Sequence, residues 1–176
     1  MEFFETVEKR ASYRYAFAEK DIPEEDIRQI VTAGLQAPSG YNFQTTSFVI
    51  VRDPELRAKL AELIPTPTTK TAPVILAAVS EQKINEAQGA AHFAFDTQDY
   101  AAAVENIMLA IVAKGYAGVW LDGMSRMNAA DKEIAALLRV PEGKWVRSII
   151  PFGVPTREVA QKEKKSFEER VVWDHF

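Results

Sequence analysis

Asp99-Tyr-Ala-Ala-Ala-Val-Glu-Asn-Ile-Met-Leu-Ala-Ile-Val-Ala-Lys114 is a helix-length stretch with apolar residues on nearly every face. Such a helix belongs inside a protein, and this one is too short for a comfortable membrane span. Gly115 follows at the position where a left-handed residue closes a helix. Working outward, Val74 to Val79 is a continuous apolar run of strand length behind Pro73, which reads as a buried strand. Val146 to Phe152 reads as a second one. Phe48 to Val51 is a short β-rich run, and Val171 to Trp173 gives an expected final short strand. Between them, Pro23 opens a helix with acidic residues in its first turn and Ile27, Ile30, Val31 and Leu35 on its core face. Pro38-Ser39-Gly40 ends it. Asp53-Pro54 starts a helix through Leu56, Leu60 and Leu63, and Pro65 to Thr68 reads as loop. Asn128 is the expected cap of a helix through Ile134, Leu137 and Leu138. Phe3, Phe4 and Val7 mark a short first helix. Glu81 to Phe95 has no clean period and reads as a variable excursion or lid. Strands and helices mix without a strict βαβ rhythm, so the expected class is α+β around a small sheet, in one domain over residues 1–176 and in two layers.

Composition narrows the chemistry. The 176 residues carry a formal net charge of −4, with 47% apolar and 26% charged residues, the profile of an ordinary globular domain. The chain contains no cysteine and only two histidines, His92 and His175. Disulfides, thiolate nucleophiles and zinc–thiolate sites are therefore excluded, and a His-rich metal site has too few ligands. The acidic balance argues against a nucleic-acid surface. Met1 to Arg10 lacks a basic stretch followed by an apolar one, so a cytoplasmic location is expected.

Four segments could carry function. In Arg10-x-Ser12-x-Arg14, an extended backbone would put two guanidinium groups and a hydroxyl on one face, a pattern suited to phosphate but also found on solvated edges. Pro38-Ser39-Gly40-Tyr41-Asn42-Phe43-Gln44 exposes neutral hydrogen-bonding groups in a turn, suited to a polar heterocycle or polyol; the alternative is an ordinary helix-ending turn. Gly115 to Gly123, with Trp120, Leu121 and Asp122, lets backbone approach a planar ligand, or is simply a cap, strand and turn. Lys162, Lys164 and Lys165 form a basic cluster that could share an anion with Arg10 and Arg14, or form a solvated face. His92 and His175 add little to any of these.

Taken in order, these segments resemble the nitroreductase family of FMN-dependent oxidoreductases. The resemblance rests on Arg10-x-Ser12-x-Arg14, on Ile22-Pro-x-x-Asp-Ile-x-x-Ile30, and on Ala37-Pro-Ser-Gly-x-Asn-x-Gln44. It continues through Asp99-x-x-Ala-Ala-x-x-Asn-Ile-x-Leu109, Gly115-Tyr-x-Gly-x-Trp120 and Pro151-x-Gly-x-Pro155. It implies a homodimer with two FMN sites built from both subunits, in which the Asp99–Lys114 helix packs on its symmetry mate. Arg10, Ser12 and Arg14, assisted by Lys162 or Lys164, would hold the phosphate and ribityl end. Pro38, Ser39 and Gly40 would come from the partner, with Asn42 and Gln44 near the flavin. Trp120, Leu121, Asp122 and Gly123 would line the isoalloxazine and turn backbone donors toward its reactive edge. NAD(P)H would deliver hydride to the flavin and leave before a small acceptor, such as a nitroaromatic or quinone, takes its place. No side chain would serve as a dedicated catalytic group, and no metal is implied. Other members dehalogenate aromatics or fragment the flavin, and a non-catalytic nucleotide-binding or interaction domain is the reading from another class. Thr45-Thr46 departs from the Pro-Trp that many members carry after the glutamine, Asp122 stands where members vary between glycine and acidic residues, and the 81–95 excursion is short, so the acceptor stays open.

Overall fold

The computed structural model describes residues 2–84 and 94–176. At its centre, β1 (Thr46–Val51), β2 (Val74–Glu81), β3 (Ala117–Gly118) and β4 (Lys144–Gly153) form one sheet in the order β1-β2-β4-β3. All its pairings are antiparallel, with β2 between β1 and β4 and a register shift at Ala78/Val79. The continuous apolar run of β2 has a simple cause. Ile75, Ala77 and Val79 join a core with Leu60, Ile64, Ile134 and Ile149, whereas Val74, Leu76 and Ala78 join a second core with Ile27, Ile30, Val104, Ile107 and Ile111. Both faces of the strand are therefore buried, as a run without polar alternation requires. The result is a sheet covered by helices on each side rather than two layers.

One face carries α2 (Glu24–Leu35) and α5 (Asp96–Ala113); the other is covered by α3 (Pro54–Leu63) and, after the one-turn helix α6 (Gly123–Arg126), by α7 (Ala130–Leu137). Asp53 caps α3 by accepting from the Leu56 N–H, as its position before Pro54 dictates. On α2 the core positions are Ile27, Ile30 and Gly34, while Leu35 is exposed, one residue round from the expected stripe. Gly34 allows the close approach of α5, since a Cβ there would lie 2.7 Å from the Ile107 side chain.

Other local expectations are corrected by longer-range structure. Pro67 to Thr71 forms a short helix, α4, because Thr66 and Thr69 make a reciprocal capping box across its start. Asn128 does not cap α7: it has φ 53°, and Ala129 occupies the N-cap without a side-chain bond. Val171 to Trp173 is not a strand but an exposed tail after a four-residue helix, α8 (Phe167–Arg170). The expected lid lies largely outside the described residues, as does His92; at its flanks Ile84 pairs with Ala94.

Within one chain, α5 is not covered all round. Ala103, Val104, Ile107, Met108 and Ile111 are buried, but Ala102, Glu105, Leu109 and Val112 form a half-exposed stripe at helical spacing. Phe3 and Phe4 on α1 (Phe3–Lys9) are exposed too. No described helix is long and apolar enough to cross a membrane.

At the far end of α5, Lys114 Nζ (2.9 Å) and the Tyr116 hydroxyl (2.6 Å) both donate to the Asp26 carboxylate, tying the start of α2 to the end of α5. Hydrogen bonds from Tyr116 and Lys114 hold Asp26 below the ordinary carboxylate range, while desolvation and Asp26 push Tyr116 up to about 12. The folded-state value of Tyr116 lies above the ordinary tyrosine value of about 10. Its contribution to stability is thus complete below about pH 10 and fades as pH rises toward about 12. Tyr116→Phe should therefore lack that part of the alkaline loss of stability, measured by denaturant unfolding across a pH series. An unchanged alkaline limb would show that the pair contributes nothing.

Candidate functional site

The N-terminal segment after α1 is extended and docks on β3: Ser12 bridges Gly118 in parallel, and the Tyr13 N–H donates to the Gly118 carbonyl at 2.9 Å. Its alternation sends Tyr13 into the core, 2% exposed, where its hydroxyl donates to the Ala16 carbonyl and accepts from the Thr156 N–H. Arg10, Ser12 and Arg14 lie along the opposite side of the alternation. Together with Tyr15, Lys162 and Lys164 they line a cleft of about 490 Å³. Two segments far apart in sequence thus bring four cationic side chains and a hydroxyl to one concavity. Arg10 Nε pairs with Glu105 of α5 at 3.2 Å. Arg14 Nη1 reaches the Ser12 carbonyl at 3.3 Å and is largely exposed.

The Pro38 to Gln44 turn lies elsewhere. Pro38, Ser39 and Gln44 line a cavity of about 190 Å³ with Thr45, Thr46 and Asp99, none of which lines the basic cleft. Its backbone is unusual: Tyr41, Asn42 and Gln44 all have positive φ near 50°. Asp99, 5% exposed, fixes it by accepting from the Gly40 N–H (2.9 Å) and the Thr45 hydroxyl (2.7 Å). Ser39 Oγ accepts from the Gln44 N–H at 3.0 Å. Gly40 has no room for a Cβ, which would sit 2.4 Å from the Phe95 ring.

The third segment, Trp120 to Gly123, leaves β3 and meets α5 one residue beyond Asp99. The Tyr100 ring meets Trp120 edge-on at 6.0 Å between centroids. Asp122 accepts from Arg126 at 2.8 Å and, at a longer 3.4 Å, from the Tyr100 hydroxyl. Burial, then the Asp122 charge, raise the Tyr100 hydroxyl above the usual tyrosine range. Of the segment's backbone donors, the Leu121 N–H is taken up by the Ile149 carbonyl at 3.0 Å. Trp120 Nε1 and Asp122 Oδ1 are buried with no hydrogen-bond partner among the described residues. Buried polar atoms are normally satisfied, so orphans at this position fit a segment that meets something further.

Asp99, Tyr100 and Glu105 of one helix therefore anchor, in turn, the 38–45 loop, the 120–123 segment and Arg10. None was singled out as a functional side chain in the sequence, although Asp99 opens one of the motifs. Among the described residues, no group of three or more acidic or histidine side chains is placed to hold a metal.

Comparison with solved structures places this architecture in the nitroreductase-like fold class. The chain superposes on a BluB-like flavoprotein from Clostridium difficile 630 with a TM-score of 0.82 and 25% identity, covering 98% of this chain and 99% of that one. It superposes on the NADPH:FMN oxidoreductase from Vibrio harveyi complexed with NAD+ with the same TM-score of 0.82 and 22% identity, over 99% and 77% of the two chains. The profile of the nitroreductase family matches residues 7–69 and 62–154, and the chain belongs to that family. A relative from Archaeoglobus fulgidus, named "Putative NADH dehydrogenase/NAD(P)H nitroreductase", is 32% identical over 87% of this chain and 82% of its own length.

Proposed function

We propose that this chain is an FMN-dependent NAD(P)H oxidoreductase that reduces a small acceptor such as a nitroaromatic or quinone, and that it works as a homodimer with shared sites. The observation that carries the reading is the convergence of Arg10, Ser12, Arg14, Lys162 and Lys164 on one cleft. A phosphate monoester is a dianion that accepts forked guanidinium bonds, lysine point charges and a hydroxyl donor, and this donor set fits it. The names of the Vibrio harveyi and Archaeoglobus fulgidus proteins support flavin and nicotinamide use.

When bound, the flavin would supply two-electron redox chemistry between a nicotinamide and the acceptor. The chain's own residues bind and orient it. Arg10 and Arg14 grip the phosphate, with Ser12 donating a hydrogen bond and Lys162 and Lys164 adding charge. Trp120, Leu121, Asp122 and Gly123 line the ring system, held in place by the Leu121–Ile149 bridge and by Tyr100 and Arg126 on Asp122. Pro38, Ser39 and Gly40 of the partner, with Asn42 and Gln44, close the site. Separation of that loop from the basic cleft within one chain supports this division, as do the half-exposed Ala102, Leu109 and Val112 on α5.

Titration with FMN and with riboflavin tests the phosphate assignment, alongside the solution mass by light scattering. FMN should bind at least about a hundredfold more tightly, since charge-assisted bonds contribute about 1.5–3 kcal/mol each, and the mass should be that of a dimer. Equal affinity for the two flavins would overturn the phosphate assignment, and a strictly monomeric protein would overturn the shared site.

A further inference from the structure

The basic cleft has two arms, and only one of them is built on regular structure. Arg10 to Arg14 is pinned to β3 through Ser12 and Tyr13. Lys162 and Lys164 lie in a stretch without regular secondary structure between β4 and α8. That stretch is anchored as it leaves the sheet: the Thr156 N–H donates to Tyr13, Arg157 stacks over Tyr15 at 4.4 Å, and Val159 packs on the core. Immediately before the first lysine comes Gln161. Its Nε2 donates to the Arg10 carbonyl at 2.8 Å and to the Val7 carbonyl at 3.2 Å. Both carbonyls belong to the end of α1, where the last turn lacks intrahelical donors. One side chain therefore caps α1 and fastens the lysine arm to the arginine arm.

We propose that Gln161 is the positioning residue of the basic cleft: by bonding the Val7 and Arg10 carbonyls it holds Lys162 and Lys164 against the same anion that Arg10 and Arg14 bind. The proposal rests on the phosphate reading of the cleft. Lysine side chains are long and flexible, so their contribution depends on how well the backbone beneath them is fixed beforehand. Gln161 itself lines the cleft, but its amide donors are taken up by the Val7 and Arg10 carbonyls and its remaining oxygen is an acceptor unsuited to an anion, so it acts through the backbone beneath the two lysines.

A mutant cycle scored by FMN and riboflavin affinity tests this. Gln161→Met keeps the length and apolar stem and removes the donor; Gln161→Ala removes both, and circular dichroism reports whether either variant is folded. Each is expected to weaken FMN binding about tenfold, the order expected when preorganisation of charged contacts is lost, with riboflavin affinity unchanged. In a Lys162→Ala/Lys164→Ala background, the further Gln161→Met change should alter FMN affinity by less than about twofold, the mark of residues acting as one unit. A full tenfold loss in that background, or no loss in the native one, would overturn the role of Gln161 while leaving the cleft assignment standing. Loss of FMN and riboflavin binding in equal measure would reduce Gln161 to a structural cap. If the unmodified protein fails to prefer FMN over riboflavin, the cleft assignment falls and the role of Gln161 falls with it.

Discussion

Arg10→Ala combined with Arg14→Ala should give a folded protein that purifies colourless and turns over nothing. Each guanidinium stands to make charge-assisted bonds contributing about 1.5–3 kcal/mol, so losing both should weaken FMN binding by roughly a hundredfold to ten-thousandfold. Folding should suffer little. Arg14 is exposed, and the Arg10–Glu105 pair leaves the glutamate nearly half exposed, so the pair contributes at most about 1 kcal/mol. Flavin content after purification, read from the absorption spectrum, checks the outcome while circular dichroism checks the fold. Full flavin occupancy in the double variant would remove the phosphate from this cleft.

Asp99→Ala should have the largest effect on stability. It leaves the Gly40 N–H and the buried Thr45 hydroxyl without an acceptor, at about 1–3 kcal/mol for each orphaned group. The loop it anchors holds Tyr41, Asn42 and Gln44 at positive φ, a conformation that persists only while its surroundings impose it. A total loss of about 2–6 kcal/mol should lower the melting temperature by roughly 4–24 °C for a chain of this size. Asp99→Asn, which keeps one acceptor, should lose about half as much. A melting temperature within about 1 °C of the native protein would show that the loop does not depend on α5.

The parts of the molecule that could be read from the chain are those whose cause is local. The cap at Asp53, the glycine after α5 and the apolar run of β2 each follow from a few adjacent residues, and each is found in place. The alternation of Arg10, Ser12 and Arg14 needed only an extended backbone, which docking on Gly118 provides. The unread parts have distant partners. Thr66 looks like loop between two prolines until Thr69 returns its bond. Leu35 looks like core until Gly34 is found against Ile107. Asp99 opens a motif, but neither it nor Glu105 nor Gln161 announces its partner: those partners lie 59, 95 and 151 residues away, and only the fold brings them together. The uncovered stripe on α5 shows the same limit from the other side, because a helix apolar all round announces burial without saying against what.

As proposed, bound flavin in this chain would pass electrons from a nicotinamide to an acceptor. Anaerobic addition of NADH or NADPH to the FMN-reconstituted protein tests it most directly. The yellow absorption band should bleach with one of the two nucleotides and return when a nitroaromatic or quinone is added. Protein that takes up FMN but stays yellow with both nucleotides would contradict the account.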